Sequence, residues 1–153
     1  MLTTLLRPEV ILTDLDAKNA DDALDHLSSL LFEYGYVRDS FSAAVKEREK
    51  RYATGLPARS MGVAMPHTDI EHVIKPCVAI ATLRHPVTFI AMGSDDEKVQ
   101  AQILFMLALN EPHAQLEMLQ SIVTIIQNDD LLQAIKASNS PADIIELIRK
   151  QEM

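Results

Sequence analysis

The sequence predicts an α/β fold of three layers, α/β/α, with a mixed central sheet and the element order β-α-α-β-β-β-α-α-α. An apolar run at residues 77–83 and a second apolar segment at 99–109, which is uninterrupted from 103 to 109, have the length of strands that are covered on both faces. Segments with apolar residues at three- and four-residue spacing come before and after these runs, and such spacing predicts helices. Strands flanked in this way favour a sheet between two helical layers.

The first third of the chain is predicted to form a short strand and two helices. The strand covers residues 9–12. Asn19 is a suitable cap for a helix that runs to about Tyr34, and Gly35 follows it, where a left-handed residue commonly ends a helix. A second helix should cover roughly 40–51, with a charged tail that reads KEREKR.

The middle third is predicted to contain the strands of the sheet and their connections. Residues 54–57, with the sequence TGLP, interrupt regular secondary structure and should open a loop. Residues 62–65 form a short strand that ends at a proline. A turn at 84–86 should separate the strand over 77–83 from a further short strand at 87–90.

The last third is predicted to be helical. Residues 110–112 open a helix, Asp129 or Asp130 starts a short one, and Ser140 caps a final helix that runs to about Lys150. The apolar positions of the first of these helices, which should face the core, are Leu116, Leu119, Ile122, Val123 and Ile126.

Length and composition indicate one domain that covers residues 1–153. A domain of this length buries roughly 70% of its unfolded surface, which is enough for a hydrophobic core. No apolar run approaches the ~20 residues needed to span a bilayer, and the first residues lack the pattern of a secretory signal. We therefore expect a cytoplasmic protein with no direct membrane insertion.

The charge and the cysteine count exclude several classes of function. The net charge is −8 and the only basic cluster is Lys46–Arg51, so nucleic acid binding, which depends on many phosphate contacts, is not expected. Cys77 is the only cysteine, which rules out an internal disulfide and a cysteine-based zinc cluster. We expect Cys77 to be a small buried hydrophobic residue, with a catalytic thiol as the alternative.

His67 is the residue for which the sequence best predicts chemistry. A short strand over 62–65 leads to Pro66, which fixes the backbone directly before His67, and Thr68-Asp69 then leave in a loop. An imidazole keeps a free ring nitrogen near neutral pH and can act as a nucleophile. A phosphate bound there would require backbone N–H donors and a nearby cation. A Pro-His dipeptide alone is more typical of an ordinary surface histidine.

Several spaced segments turn this dipeptide into a specific pattern. Arg48-Glu49, Thr54-Gly55 and Gly62–Thr68 resemble the signature of type-2 enzyme IIA domains of the sugar phosphotransferase system, the fructose–mannitol–galactitol type. Glu111-Pro112-His113 resembles the second histidine of that family, at the head of a long helix. The similarity covers nearly the whole chain, and Met65 is the one departure, since isoleucine or valine is usual there.

The resemblance implies a role for each matched residue. His67 accepts a phosphoryl group from the phosphohistidine of HPr and donates it to a IIB component, which serves a IIC membrane transporter. Arg48 approaches the phosphoryl group or holds the geometry of the site. His113 lies beside His67 and orients it or binds the phosphate, and Thr54 forms hydrogen bonds within the site. No nucleotide, metal or organic cofactor is expected, because no Gly-rich phosphate loop or complete metal-ligand spacing is present.

The resemblance leaves the biological role open between transport and regulation. Residues 54–57 together with 66–73 look most like the galactitol branch, which implies uptake of a sugar alcohol. The alternative is a regulatory module of the nitrogen type, which uses the same histidine to report phosphorylation state. A metallohydrolase would be a different class of protein, and its candidate ligands are His67, Asp69, His72 and His113.

A carrier that meets two partners in turn should have a docking face around its acceptor histidine. We expect this face to be largely apolar, because methionine and aliphatic side chains adapt to different partners. The residues expected to supply it are Leu56, Met61, Met65 and Ile70.

Overall fold

The apolar runs of the sequence become the central strands of a mixed sheet, with helices on both sides. The computed structural model describes residues 2–153. Its strands are β1 (Leu6–Leu15), β2 (Gly55–Pro57), β3 (Gly62–Ala64), β4 (Cys77–Ile90) and β5 (Lys98–Ala108). Its α-helices are α1 (Ala20–Glu33), α2 (Phe41–Arg51), α3 (Pro112–Ile126), α4 (Asp129–Ala137) and α5 (Pro141–Gln151). Short 3₁₀ helices cover Leu2–Leu5 and Ile70–His72. Over residues 2–153, no helix is long and apolar enough to cross a membrane.

The five strands form one sheet in the order β1-β4-β5-β3-β2. Strand β1 is parallel to β4, and β3 is parallel to β5. Strand β4 is antiparallel to β5, and β2 is antiparallel to β3. The predicted mixed sheet is therefore confirmed, with the two long apolar runs at its centre.

The sheet separates two hydrophobic cores, as the predicted three-layer arrangement requires. Alternate residues of β5 point to opposite faces: Leu104 and Met106 pack in the core under α1 and α2, whereas Ile103 and Phe105 pack in the core under α3, α4 and α5. Because successive side chains of a strand alternate in this way, a strand covered on both sides must be apolar throughout. The continuous apolar run at 103–109 reflects this requirement.

Polar side chains define the helix ends that the sequence predicts. Asn19 accepts a hydrogen bond from the Asp22 N–H at 2.8 Å, and the Ser140 hydroxyl accepts one from the Asp143 N–H at 3.1 Å. Gly35 has a φ of +81° and ends α1 in the left-handed conformation. Helix α4 begins at Asp129, as predicted, and Asn128 caps it. Side-chain caps of this kind contribute about 1 kcal/mol each.

Two connections of the sheet differ from the prediction. Residues 54–57 do not form an open loop, because Gly55–Pro57 pairs with β3 as a short hairpin at the sheet edge, where a proline is tolerated. The predicted turn at 84–86 lies inside β4. Thr82 pairs with Ile103 and Val87 with Ala101, so β4 carries three extra residues over this stretch and forms a bulge. Pro86 falls in the bulge, where its missing N–H breaks no ladder.

The predicted inward face of α3 is partly wrong. Ile122 is buried as expected, but Leu116 is 56% exposed and Val123 is 39% exposed. Leu119 and Ile126, also predicted to face inward, are partly buried and pack against the core, whereas the buried Met118 and Ile125 were not predicted. Helix α3 carries apolar residues on more than one side, so three- and four-residue spacing fits two faces equally well. Packing against the sheet selects the face that carries Met118.

Candidate functional site

His67 lies where the parallel pair β3–β5 ends. Strand β3 stops at Ala64, but the chain continues beside β5: the Leu107 N–H donates to the Pro66 carbonyl at 2.9 Å, and His67 pairs with Leu107 as an isolated bridge. The carboxyl ends of strands in α/β sheets commonly hold binding sites. The backbone of His67 is thus fixed by the sheet, as the sequence predicts.

The imidazole of His67 is held by one backbone acceptor. Its Nδ1 lies 2.9 Å from the carbonyl oxygen of Met65. A carbonyl oxygen only accepts, so Nδ1 carries the proton and Nε2 keeps its lone pair. Partial burial lowers the pKa of His67; the bond to Met65 opposes this, the positive charge of Arg48 lowers the pKa further, and Asp69 raises it. The ring is therefore neutral at pH 7, with Nε2 available as a nucleophile.

Arg48 brings a cation with spare hydrogen-bonding capacity to the same site. Its guanidinium stacks on the Tyr52 ring at 4.6 Å from the centroid, and its Nη1 lies 3.5 Å from the Asp69 carboxylate, which is a weak contact. The Nε of Arg48 is buried and has no hydrogen-bond partner among residues 2–153. An unpaired buried N–H destabilises the fold by about 1–3 kcal/mol. An incoming anion that accepts a hydrogen bond from this N–H would remove that penalty.

Thr54 lies behind the histidine and is buried. Its hydroxyl accepts a hydrogen bond from the Met65 N–H at 3.1 Å and donates one to the Glu49 carboxylate at 2.7 Å. The backbone N–H of Thr54 donates to the same carboxylate at 2.8 Å. Thr54 therefore contacts Met65, whose carbonyl holds the ring of His67.

His113 lies at the second position of α3 and is exposed. Within the described part of the chain it makes no hydrogen bond or ion pair. Two residues further on, the side-chain amide of Gln115 donates to the Thr68 carbonyl at 3.1 Å. The first turn of α3 is thus tied to the loop that follows His67. The structure brings this turn to the site but does not bond His113 to it.

Two other candidates have structural surroundings. The Nδ1 of His72 forms a 2.7 Å hydrogen bond with the Ser40 hydroxyl, which links the site loop to the start of α2. Cys77 is buried, and burial raises the pKa of its thiol to about 12, which leaves no nucleophilic thiolate at neutral pH. Among residues 2–153, no three histidine, cysteine or acidic side chains come together as metal ligands.

The predicted apolar docking face is only partly present. Met65 is 1% exposed and packs in the core under α3–α5, so it offers no surface to a partner. Its neighbours Leu56, Met61 and Ile70 are half-buried. The alternation of the strand explains the error, because a side chain adjacent to the well-packed Ala64 must point to the opposite core.

Sequence reasoning did not find two contacts of the site. Gln115 carries no motif signal, and only the packing of α3 against the loop reveals its bond to Thr68. Glu49 is part of the Arg-Glu pair, but the sequence does not show that its carboxylate bonds Thr54. The spacing of five residues between Glu49 and Thr54 is the one signal that could have suggested a contact at the end of α2.

Comparisons with known proteins agree with the fold and identify a family. The family model for the phosphoenolpyruvate-dependent sugar phosphotransferase system, EIIA 2, matches residues 4–151. The fructose-specific EIIABC component of Bacillus subtilis (strain 168) is 23% identical over 155 residues, covering 99% of this chain and 23% of that protein. The chain therefore spans about a quarter of that relative's length. The galactitol-specific EIIA component of Escherichia coli (strain K12) is 23% identical over 114 residues, 74% of this chain and 75% of the relative. A solved complex of enzyme IIA and phosphorylated enzyme IIB for mannitol, from Escherichia coli, superposes with a TM-score of 0.77 at 22% identity, covering 95% of this chain and 99% of the matched chain.

Proposed function

This chain belongs to the EIIA 2 family of the phosphoenolpyruvate-dependent sugar phosphotransferase system, and we propose that it is a phosphoryl carrier whose acceptor atom is Nε2 of His67. The hydrogen bond from Nδ1 to the Met65 carbonyl carries this proposal. It fixes the ring and its tautomer, and it leaves one nitrogen free to attack. In this proposal residues 1–153 act as one EIIA domain.

The proposed transfer conserves protons at His67. The lone pair of Nε2 attacks the phosphorus of phospho-HPr, the N–P bond of the donor breaks, and the donor imidazole keeps the electron pair. The proton on Nδ1 stays in its bond to the Met65 carbonyl, which strengthens as the ring gains positive character. In the second step a thiolate of the IIB component attacks phosphorus and His67 leaves as a neutral imidazole. Such transfers depend on positioning and charge stabilisation more than on acid–base catalysis.

Arg48 is proposed to bind the phosphoryl oxygens during both steps. Its positive charge lies close enough to His67 to lower that residue's pKa, and its Nε–H has no acceptor within residues 2–153. A hydrogen bond between charged groups contributes about 1.5–3 kcal/mol. His113 is proposed to add a further donor from the first turn of α3, where the helix dipole also favours an anion. Thr54 is proposed to support the site from behind.

The partners follow from the proposed role. The chain accepts phosphate from HPr in the cytoplasm and passes it to a cognate IIB, which serves a IIC transporter. The galactitol proposal rests on residues 54–57 together with 66–73. The fructose-specific and galactitol-specific relatives have the same 23% identity to this chain, so overall identity does not separate these sugars.

Phosphorylation of the purified chain tests the proposal. Incubation with enzyme I, HPr and phosphoenolpyruvate should add one acid-labile phosphate, and His67→Ala should add none. His26→Ala is the matched control, since His26 pairs only with Asp22 on the surface of α1. Normal uptake of phosphate by His67→Ala would overturn the proposal. Incubating the phosphorylated chain with IIB proteins of different specificity then identifies the sugar, and transfer to none of them would favour the regulatory alternative.

A further inference from the structure

Glu49 lies in the last turn of α2 with its carboxylate turned towards the sheet. Both of its oxygens accept hydrogen bonds from Thr54: Oε2 from the backbone N–H at 2.8 Å and Oε1 from the hydroxyl at 2.7 Å. Glu49 has no ion pair with a basic residue of the described chain, although Lys46, Lys50 and Arg51 lie on the same helix. A solvated surface charge does not need two hydrogen bonds from one residue, so this partly buried carboxylate calls for a structural explanation.

A continuous chain of hydrogen bonds connects this carboxylate to the imidazole. Thr54 donates its hydroxyl proton to Glu49, and the same hydroxyl oxygen accepts from the Met65 N–H at 3.1 Å. The other side of the Met65 residue presents its carbonyl to Nδ1 of His67 at 2.9 Å. Three side chains and one backbone segment therefore lie in series between α2 and the acceptor nitrogen.

We infer that Glu49 is a positioning residue for His67, acting through Thr54 and the backbone of Met65. This inference rests on the proposed function, because it concerns the orientation of the proposed acceptor. Glu49 touches neither the ring nor the phosphoryl group. Its effect is to fix the direction in which Met65 presents its carbonyl oxygen, and so to fix the tautomer and tilt of the imidazole.

The ionised carboxylate sets the direction of every bond in the series. An ionised carboxylate can only accept hydrogen bonds, so both the backbone N–H and the hydroxyl of Thr54 must donate to Glu49. The lone pairs of the Thr54 hydroxyl then remain free to accept from the Met65 N–H. A glutamine at this position would turn an amide N–H towards Thr54. That amide would compete with the Met65 N–H for the hydroxyl oxygen. The Met65 N–H would then keep only its longer bond, 3.4 Å to the Thr54 carbonyl, and the direction of the Met65 carbonyl would be less well fixed.

The surroundings of Glu49 make this arrangement sensitive to pH. Burial raises the pKa of Glu49 to about 7, and the two bonds from Thr54 act in the opposite direction. The carboxylate borders a cavity of about 300 Å³ between α2 and β4, whose wall from β4 is uncharged and includes Phe89 and Ile90. The charged groups that face the cavity are Asp21 of α1, Lys46, Lys50 and Arg51 of α2, and Asp95 of the turn between β4 and β5.

Glu49→Gln tests the inference, with Glu47→Gln as the matched control. Glu47 lies on the same helix, is 58% exposed, and bonds only Arg51. We expect Glu49→Gln to shift His67 from the Nδ1–H tautomer to a mixture, measured by ¹⁵N NMR of the unphosphorylated protein. Phosphoryl transfer should slow by about tenfold, the rate equivalent of one hydrogen bond. The control should keep the tautomer and the rate of the wild type.

The pH profile separates positioning from a merely structural role. In the wild type, both His67 and Glu49 must lose a proton for full activity, so the acid limb should include an ionisation near pH 7. Glu49→Gln should lose that ionisation. The acid limb of its pH–rate profile should therefore move to lower pH, although its maximal rate is lower than that of the wild type. A lower rate with an unchanged profile and an unchanged tautomer would overturn the inference.

Variants of Thr54 provide a second route if Glu49→Gln does not fold. Thr54→Ser keeps the hydroxyl and should keep the Nδ1–H tautomer, whereas Thr54→Val should lose it. The wild-type tautomer itself should change with an apparent pKa near 7. These NMR readouts need no phosphate, so they succeed or fail independently of whether His67 is the acceptor. A tautomer that is constant through pH 7 and in Thr54→Val would contradict the inference.

Discussion

His67 and His113 lie at the same edge of the sheet, on segments joined by the bond from Gln115 to Thr68, but their side chains have different surroundings. The ring of His67 is half-buried and bonded to a backbone carbonyl, whereas His113 is exposed and makes no bond within residues 2–153. A group that must attack gains most from being fixed beforehand. A group that only stabilises the transferred phosphate can be ordered by the phosphate itself. The difference supports an acceptor role for His67 and an auxiliary role for His113.

Removing each histidine in turn should give the largest contrast. His67→Ala should take up no phosphate from phospho-HPr, because no other nucleophile is held at the site. His113→Ala should still be phosphorylated at His67. Mass spectrometry of the intact variants, kept at alkaline pH to preserve the acid-labile phosphate, measures both results. Phosphate on His67→Ala, or its loss from His113→Ala, would reverse the assigned roles.

His67 is held by a hydrogen-bond network that includes Glu49, whereas His113 has no such network. The titration of Glu49 should therefore appear in the pH dependence of the free energy of unfolding. The pKa of Glu49 rises from 4.5 to about 7 on folding, so the folded state binds more protons than the unfolded state between these values. The contribution of Glu49 to the free energy of unfolding is therefore full below about pH 4.5 and is lost as the pH rises through 7.

The free energy of unfolding should fall by up to about 3 kcal/mol as Glu49 ionises, since one pKa unit corresponds to about 1.36 kcal/mol. Urea unfolding of the wild type and Glu49→Gln at several pH values measures it as a difference, which cancels the contribution of His67. A constant difference between the two proteins from pH 4.5 to pH 8 would show that Glu49 does not titrate in this range.

Replacing Arg48 should weaken the fixed half of the site without unfolding the protein. Arg48→Ala should slow phosphoryl transfer by roughly 10- to 150-fold, which corresponds to about 1.5–3 kcal/mol for a charged hydrogen bond. The variant should remain folded, because Arg48 makes only a weak 3.5 Å contact with Asp69 and a stacking contact with Tyr52. Arg51→Ala is the matched control, because Arg51 pairs with Glu47 on the exposed side of the same helix. Rapid-quench kinetics with phospho-HPr should give a lower transfer rate for Arg48→Ala than for Arg51→Ala. Equal rates would show that Arg48 does not contribute to phosphoryl transfer.

His113→Ala should have the smallest effect of the series, on onward transfer to IIB. We expect this step to slow by about tenfold, the lower end of the range for a bond to a charged group, because the side chain must first be ordered. His72→Ala is the control, since the side chain of His72 contacts Ser40 and Glu71 and makes no bond to His67. An unchanged rate in His113→Ala would leave this residue as an ordinary exposed residue at the start of α3.

The fold could be predicted from the sequence where apolar patterns have one interpretation. The strand segments at 77–83 and 99–108 and the caps at Asn19 and Ser140 follow from apolar stretches of strand length and from polar residues before helices. Helix α3 could be oriented only in part, because Leu116 and Val123 fit the same three- and four-residue spacing as Ile122 but lie exposed. The bulge that contains Pro86 could not be predicted either, because the bonds of its neighbours in β4 depend on the register with β5.

The sequence indicates a candidate histidine, but it does not show the bonds that hold its ring. Pro66 before His67 locates a rigid histidine, since proline restricts the backbone by its own chemistry. The tautomer of His67 depends on where the Met65 carbonyl points, which only the pairing of β3 with β5 and the contact with Thr54 determine. The proposed roles of Arg48, Thr54 and His113 remain predictions.

The most direct test of the account is to locate the phosphate on the ring of His67. The protein labelled with ¹⁵N-histidine is phosphorylated through enzyme I and HPr, and ³¹P–¹⁵N coupling identifies the bonded nitrogen. Because Nδ1 keeps its proton in the bond to the Met65 carbonyl, the account predicts coupling to Nε2 of His67 and a retained proton on Nδ1. Coupling to Nδ1, or to any nitrogen of another histidine, would contradict it.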